Sequence, residues 1–151
     1  MIPSLLRSVL TVMVVCLAFA GCTTKKEVEP ETKGEFVFNN IKYSGACQGI
    51  ASKTCKGGFD VAIMSTANIV IYNMPTAATG TFNIANGWAT NPGCNTYVLV
   101  LKENGNQIAS INGTLTKTGE NSFILLVNVT EFATASSAAT ISGSGTYTIL
   151  K

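Results

Sequence analysis

The sequence predicts an all-β protein, a single antiparallel β-sandwich or squat β-barrel of about eight or nine strands. In the C-terminal three quarters of the chain, apolar and polar residues alternate with a period of two, as in strands with one buried face. Turn-forming residues separate these runs, and no stretch of about ten residues there has a helical period. Only 12% of the 151 residues are charged. Sequence alone does not choose between a sandwich and a barrel.

The strands are predicted from runs of alternating or β-branched residues, at 36–43, 59–64, 67–74, 80–84, 97–103, 108–116, 122–130 and 140–150. Two of these runs, 97–103 and 122–130, are apolar on both faces, which is typical of central strands. Asn39-Asn40 interrupts the first run as a candidate turn. Asn104-Gly105 is the strongest hairpin signal and predicts a type I′ turn. The segments 44–58, 86–95 and 133–139 are predicted to be loops.

The N-terminus carries an apolar run that is too short to span a membrane. Residues 9–20 are twelve in number, whereas a helix needs about 20 apolar residues to cross a bilayer. The run follows Arg7 and ends in Ala20 and Gly21, immediately before Cys22. This order, a positive charge, an apolar core and small residues at the end, predicts a cleaved secretory signal peptide.

The ending Ala20-Gly21-Cys22 resembles the lipobox of bacterial lipoproteins. The resemblance implies that Cys22 is acylated on its sulfur and its amine, with palmitate or a similar fatty acid, and that residues 1–21 are removed. One acyl chain binds a membrane only marginally, at about 10⁴ M⁻¹, whereas two or more give stable anchoring. Thr23 stands where an aspartate would signal inner-membrane retention, which favours the outer membrane. The whole chain also resembles small all-β envelope lipoproteins of unknown function.

These features divide the chain into three parts: a signal peptide at 1–21, the acylated cysteine with a disordered linker at 22–35, and the β domain at 36–151. The linker is charged and has a single apolar residue, Val28, so it has little surface to bury. The membrane, reached through the lipid at Cys22, is the predicted partner, on the periplasmic face or at the cell surface. The formal net charge is +2 and no basic face is evident, so nucleic acid is not a predicted ligand.

Three cysteines remain in the β domain, Cys47, Cys55 and Cys94. An oxidising compartment favours a disulfide between two of them. The preferred pairing is Cys47 with Cys55, which closes a short loop, and Cys94 is the alternative partner of either. The remaining thiol is expected to behave as a small buried hydrophobe. Three cysteines without paired spacing or histidine do not predict a metal site.

The inventory of reactive side chains predicts a protein that is not an enzyme and needs no cofactor. The chain has no histidine, which excludes Ser-His-Asp and Cys-His arrangements. Asp60 is the single aspartate, and Asp60 with Glu131 is the one conceivable pair for a carboxylate-based hydrolase, which needs two carboxylates about 5 to 9.5 Å apart. Nothing in their spacing supports that pair.

The loop 86–95 is the candidate ligand-binding segment. It contains the single tryptophan, Trp88, with Asn86, Thr90 and Asn91 as candidate hydrogen-bonding partners. An exposed tryptophan can stack on a sugar or anchor a protein; the structural alternative is that Trp88 folds back onto the domain.

The predicted function is therefore a lipid-anchored, non-catalytic binding or assembly module, with a carbohydrate or an envelope protein as candidate partner. The alternative is a lipocalin-like carrier, which requires a closed barrel with an apolar cavity. An assembly component would instead expose an apolar patch or an open sheet edge.

Overall fold

The computed structural model describes residues 32–89, 93–132 and 139–150, and within them all regular secondary structure is β-strand. The strands are β1 (Lys33–Phe38), β2 (Ile41–Ala51), β3 (Phe59–Met64), β4 (Asn68–Tyr72), β5 (Gly80–Ile84), β6 (Tyr97–Leu101), β7 (Gln107–Gly119), β8 (Ser122–Thr130), β9 (Ala139–Thr146) and β10 (Thr148–Ile149). The predicted signal peptide at 1–21, Cys22 and residues 23–31 of the predicted linker lie outside the described residues.

Eight of these strands form a closed antiparallel barrel. Their hydrogen-bonded order is β1-β9-β8-β7-β6-β4-β3-β2, and β2 pairs back onto β1. The two additional strands extend the wall: β5 pairs with the second half of β7, and the short β10 runs parallel to β2. The predicted all-β antiparallel fold is confirmed, and of the two predicted architectures the structure adopts the barrel.

Because the strands of the barrel alternate in direction, their connections fall at two opposite ends. The end called the mouth carries the turns 39–40, 65–67 and 102–106 and the end of β8 at 131–132. The end called the floor carries the segments 52–58, 93–96, 119–121 and 147–150. The chain enters the barrel at the floor, where β1 begins.

The barrel interior is a packed core. Alternate positions of each strand point inward, and their side chains form one continuous apolar cluster, which includes Phe36, Ile63, Ile71, Val100, Phe123, Leu125 and Tyr147. An eight-stranded barrel is about wide enough for its own side chains to fill. The large aromatic residues at the centre of this cluster are almost wholly shielded from solvent.

The segment 44–58 was expected to be a loop, but its first part continues β2 as far as Ala51. The misleading signal is its content of small residues, which suggests a turn. Here glycine allows two strands to approach closely: a Cβ at Gly45 would lie 1.7 Å from the carbonyl oxygen of Met64. The prediction of a loop at 44–51 is therefore wrong.

The hairpin turn with positive φ at both central residues is Asn39-Asn40 and not Asn104-Gly105. Asn39 and Asn40 both have positive φ, 50° and 61°, and they join Phe38 to Ile41 as a two-residue hairpin. At Asn104-Gly105 only the glycine has positive φ, 81°, in a five-residue connection closed by a Gly105 N–H to Lys102 O bond of 3.0 Å. The hairpin there is confirmed, but its predicted type I′ geometry is wrong, since that type needs positive φ at both residues.

Two boundaries also shift. β1 begins at Lys33, so the last three residues of the expected linker, 33–35, belong to the barrel. The final predicted run divides at Tyr147 into β9 and β10. The backbone N–H of Tyr147 donates to the carbonyl of Asn121 (3.0 Å), which turns the chain across the floor.

Candidate functional site at the barrel mouth

Lys102 lies at the centre of the mouth and joins three strand ends. It follows β6, and its Nζ donates to the carboxylate of Glu131 just after β8, at 2.5 Å. The same Nζ lies 5.7 Å from the centroid of the Phe38 ring at the end of β1. Both side chains of the ion pair are partly exposed, Lys102 at 29% and Glu131 at 40%. A charge pair beside an aromatic face therefore opens directly to solvent.

Two cavities flank Lys102. The first, here called the rim pocket, has a volume of about 180 Å³, and Phe38, Asn39, Glu131 and Phe132 contribute to its lining. The second, here called the side pocket, has a volume of about 430 Å³ and lies between Tyr43, Thr66, Ala67, Glu103 and Asn104. Lys102 lines both cavities. A single charged side chain therefore faces two recesses that contain amides, carboxylates and aromatic rings.

The aromatic residues at the mouth differ in exposure. Phe132 is 68% exposed, the highest value among the large apolar side chains that the structure describes. Phe38 is buried at 7%, and Tyr43 stacks on Phe36 with ring centroids 4.9 Å apart. An exposed aromatic ring beside hydrogen-bonding groups is the arrangement that binds the flat apolar face of a sugar or anchors a partner side chain.

Trp88, the residue singled out from the sequence, is half-buried against the outside of the barrel. Its indole N–H donates to the carbonyl of Thr130 at 3.2 Å, and its backbone N–H donates to the side-chain oxygen of Asn86 at 2.9 Å. Thr130 itself lines the rim pocket. The structure thus brings Trp88 beside the mouth but directs its N–H to the backbone. Thr90 and Asn91 lie outside the described residues.

Sequence reasoning missed Lys102 and Phe132 as site residues and considered Glu131 only as a partner of Asp60. A signal was present: Lys102 lies near the end of one two-faced run, 97–103, and Glu131-Phe132 directly follows the other. Two strands separated by one antiparallel neighbour run in the same direction, so their ends meet at one end of a barrel. Combining that rule with the strand prediction would have placed these three residues together.

The floor contains a disulfide between Cys55 and Cys94, whose Cα atoms are 5.0 Å apart. The preferred pairing of Cys47 with Cys55 is therefore wrong, and the alternative partner Cys94 forms the bond. The reason is the extension of β2, which places Cys47 on the inner face of a strand. Cys47 is a free, fully buried thiol, as expected of the unpaired cysteine, and burial raises its pKa to about 12.

Asn73 connects the two loops that the disulfide joins. It has positive φ, 52°, and is 5% exposed. Its side-chain oxygen accepts hydrogen bonds from the hydroxyls of Ser52 and Thr54, each 2.9 Å. Its side-chain nitrogen donates to the carbonyls of Gly93 and Asn95, at 3.1 and 3.0 Å. Every hydrogen-bonding group of this side chain is therefore used in fixing the floor.

Asp60 is part of the same network rather than of a catalytic pair. It is 3% exposed, and its carboxylate accepts the backbone N–H of Asn73 at 2.9 Å. Glu131 lies at the mouth, at the opposite end of the barrel, so the structure does not bring these two carboxylates together. Among the described residues, no three Cys, Asp or Glu side chains are grouped so that they could hold a metal ion.

A buried lysine closes the inner floor. Lys117 is 2% exposed, and its Nζ donates to the hydroxyl of Tyr147 at 2.7 Å and to the carbonyl of Glu120 at 2.6 Å. Burial lowers the pKa of Lys117, and the Glu120 charge opposes that shift. Burial, with smaller contributions from Cys47 and Glu120, raises the pKa of Tyr147 to about 12.

The outer wall offers a second, less enclosed surface. A groove of about 570 Å³ has Ser144 and Thr146 of β9 among its lining residues, with Ile124 and Glu35 on the neighbouring strands. Ile124 and Leu126 are each 53% exposed on the same face of β8. Two adjacent apolar side chains form a small patch, of the kind that scattered surface residues produce in many monomers.

Comparison of the chain with protein-family models, with curated proteins and with solved structures found no match. In the part of the chain that the structure describes, no helix has the length and apolar character needed to cross a bilayer.

Proposed function

We propose that the protein is a lipid-anchored lipoprotein of the bacterial outer membrane whose β-barrel binds a ligand at its mouth. The observation that carries the anchor is the order of residues in the first part of the chain. A twelve-residue apolar run follows Arg7 and ends at Ala20-Gly21-Cys22. This pattern matches a signal peptide cleaved before a cysteine, and such a cysteine holds the protein through its acyl chains.

The mouth supports a binding role without catalysis. The carboxylate of Glu131 is neutralised by Lys102, and the other candidate carboxylate, Asp60, is buried at the opposite end. What the mouth offers instead is an exposed phenyl ring, amide groups and an ion pair around two recesses. The side pocket, about 430 Å³, has the size of a small-ligand site.

A carbohydrate is the ligand class that this chemistry favours. Sugar rings present apolar C–H faces to aromatic side chains and hydroxyl groups to carboxylates, amides and ammonium groups. Phe132 supplies the aromatic face, and Asn39, Glu131 and Lys102 supply acceptors and donors around the rim pocket.

The alternative of a lipocalin-like carrier draws support from the closure of the barrel. A carrier also needs an apolar interior that is free for its ligand. In this barrel Phe36, Phe123 and Tyr147 occupy the interior as part of one packed cluster. The ligand is therefore better placed at the mouth than inside the barrel.

Mass spectrometry of the protein isolated from a bacterial host tests the anchor. The expected N-terminal residue is Cys22, carrying a diacylglyceryl thioether, and the Cys22→Ala variant should leave the membrane fraction. An unmodified N-terminus at Met1, or a wild-type protein found only in the soluble fraction, would overturn the proposed anchor.

A glycan array tests the binding role, using the wild-type barrel, Phe132→Ala and Lys102→Met. Loss of one well-placed aromatic or charged contact should weaken glycan binding about tenfold or more. Ile124→Ala is the matched control, because Ile124 is also an exposed apolar residue but lies on the wall. Absence of glycan binding by the wild type, or equal loss in the control, would argue against a carbohydrate site at the mouth.

A further inference from the structure

The floor presents a group of exposed apolar side chains on two neighbouring strands. Ile149 of β10 and Ile50 of β2 are 42% and 43% exposed, and Leu150 is 52% exposed. The strands are held together by pairing of Ile149 with Gly49 and by a 2.9 Å bond from the Leu150 N–H to the carbonyl of Gly49. Because paired residues share a face of the sheet, Ile149 lies on the inner face with Gly49, whereas Ile50 lies on the outer face. All three apolar residues lie at the floor end of their strands.

Two lysines lie at the same end of the barrel. Lys53 and Lys56 are exposed on the loop that directly follows β2. Cys55, between these two, is fixed by the disulfide to Cys94, so their loop is held against the floor. Among the described residues of the floor, the exposed acidic side chain is Glu120, since Asp60 is buried.

The mouth has fewer exposed basic side chains than the floor among the described residues. Its lysine, Lys102, is already paired with Glu131, and Glu103 is exposed beside it. The mouth also has exposed apolar residues, Phe132 and Ile41 among them, but it lacks a comparable group of lysines in the described ranges. The combination of apolar and basic side chains is a feature of the floor.

The chain reaches the barrel at this same end. β1 begins at Lys33 on the floor, and nine residues, 23–31, separate Cys22 from the first described residue, Thr32. From Cys22 to Thr32 the chain reaches at most about 36 Å when it is fully extended. An anchor at Cys22 would therefore be joined to the barrel through the start of β1, at the end opposite the Asn39-Asn40 turn.

We propose that the floor is a membrane-contact surface that binds an anionic bilayer through Ile50, Ile149, Leu150 and the lysines Lys53 and Lys56. The attachment through an acylated Cys22 rests on the proposed function, whereas binding by the floor itself does not. The apolar side chains enter the interfacial region of the bilayer, and the lysines bind anionic headgroups. The mouth then faces away from the membrane, where its pockets are open to a ligand.

Depth-dependent fluorescence quenching tests the orientation in the acylated protein. Vesicles of phosphatidylcholine with about 30% phosphatidylglycerol carry brominated acyl chains, which quench nearby indoles, and the anionic lipid supplies the surface charge. In a Trp88→Phe background, the indole introduced by Leu150→Trp should be quenched. The native Trp88 of the otherwise unchanged protein, which lies beside the mouth, should not be quenched. Anchored protein with an unquenched indole at position 150 would overturn the inference while leaving the anchor intact.

Vesicle sedimentation of the unacylated mature chain, residues 22–151 with Cys22→Ser, tests the surface without the anchor. The barrel is closed around its own core, so it is expected to fold without the lipid. The chain should bind vesicles that contain phosphatidylglycerol more tightly than pure phosphatidylcholine vesicles. Lys53→Gln with Lys56→Gln should weaken that binding about tenfold, since each lysine near an anionic surface contributes to attachment.

The matched control is Lys42→Gln with Lys102→Gln, which removes the same charge from the wall and the mouth. Binding of this control should equal that of the parent chain. Equal losses in both double variants would show a response to net charge alone and would overturn the floor as the contact surface. So would the absence of any binding to the anionic vesicles. Neither result depends on whether Cys22 is acylated.

Discussion

The mouth and the floor of the barrel use the same kinds of residue for different purposes. At the floor, the Cys55–Cys94 disulfide and the hydrogen bonds of Asn73 fix the loops to one another. At the mouth, the ion pair of Lys102 and Glu131 is partly exposed, and two recesses lie open beside it. The buried polar side chains at the floor, Asn73 and Asp60, are satisfied by internal hydrogen bonds, whereas the ion pair at the mouth faces solvent.

This difference separates the end that stabilises the fold from the end at which we propose that a ligand binds. A buried polar group that loses its partner carries the full cost of desolvation, so the floor should be sensitive to substitution. An exposed ion pair contributes little to stability, so the mouth should tolerate substitution in the folding equilibrium. Measurements of the free energy of unfolding can therefore test whether the two ends differ in this way.

Removal of the disulfide is expected to have the largest effect. The bond joins residues 39 positions apart, and closure of a loop of that length contributes about 4 kcal/mol in the chain-entropy model. Urea unfolding of the Cys55→Ser, Cys94→Ser double variant should show a loss of this size. Cys47→Ala serves as the control, because it removes a thiol without breaking a cross-link. A double variant as stable as the wild type would show that the floor does not depend on the bond.

Asn73→Ala should follow, with a loss of about 3 kcal/mol, because it removes several buried hydrogen bonds at once. The control at the mouth is Asn104→Ala, whose exposed side-chain oxygen accepts the backbone N–H of Asn106. That variant should lose about 1 kcal/mol or less. Thermal and urea unfolding of the two variants measure the contrast, and comparable losses would contradict the distinction between the ends.

The free energy of unfolding at alkaline pH should depend on the buried thiol of Cys47. The pKa of Cys47 rises from its ordinary 9.0 to about 12 in the fold, so the unfolded chain loses its proton first. Stability then falls as the pH rises from 9 towards 12, by about 1.4 kcal/mol per pH unit for one group. Tyr147, with a pKa of about 12, adds a fall of the same sign above pH 10. Lys117, whose pKa is lowered, opposes it below its ordinary 10.5.

The measurement is urea unfolding of wild type and Cys47→Ala at several pH values between about 9 and 11. The variant should lose stability less steeply over this range, by about 1.4 kcal/mol per pH unit. Its value at pH 7 gives the packing loss separately. Parallel curves for the two proteins would show that the thiol is accessible to solvent after all.

Lys102→Met should have the smallest effect on folding, a loss below about 1 kcal/mol, because its ion pair with Glu131 is partly exposed. Unfolding in urea at low and high salt measures it, and the wild type should lose any difference as salt screens the pair. A loss as large as that of Asn73→Ala would place the mouth within the structural framework and end the contrast drawn between the two ends.

Much of the fold was readable from the sequence because its strands have one face in the core. The runs at 59–64 and 80–84 match β3 and β5, since alternation of apolar and polar residues follows directly from burial on one side. The run at 122–130 matches β8, although it is apolar on both faces and its outward residues Ile124 and Leu126 are each 53% exposed. The second part of β2 was not predicted as a strand, because its small residues resemble a loop. They are needed there because a neighbouring strand lies very close. That contact lies between residues distant in sequence, and a local pattern does not encode it.

The site was less predictable than the fold. Trp88 was a candidate because it is the single tryptophan of the chain. Its surroundings, however, depend on its contact with Thr130, which lies 42 positions further along the chain. The disulfide was misassigned for a related reason, because Cys47 and Cys55 are close in sequence but Cys47 points into the core. Lys102 and Glu131 meet only once the barrel closes. Each of these outcomes is set by the order of strands around the barrel.

The attachment of β1 determines how the molecule would respond to mechanical force. β1 is bonded along one edge to β2 and along the other to β9, over nearly its whole length. A pull applied at Lys33 and directed away from the mouth runs along the axis of this strand. The rungs on both edges would then be loaded together in shear, instead of opening one after another like a zipper. A force between Lys33 and the far end of the barrel would thus be resisted without peeling the first strand from the wall.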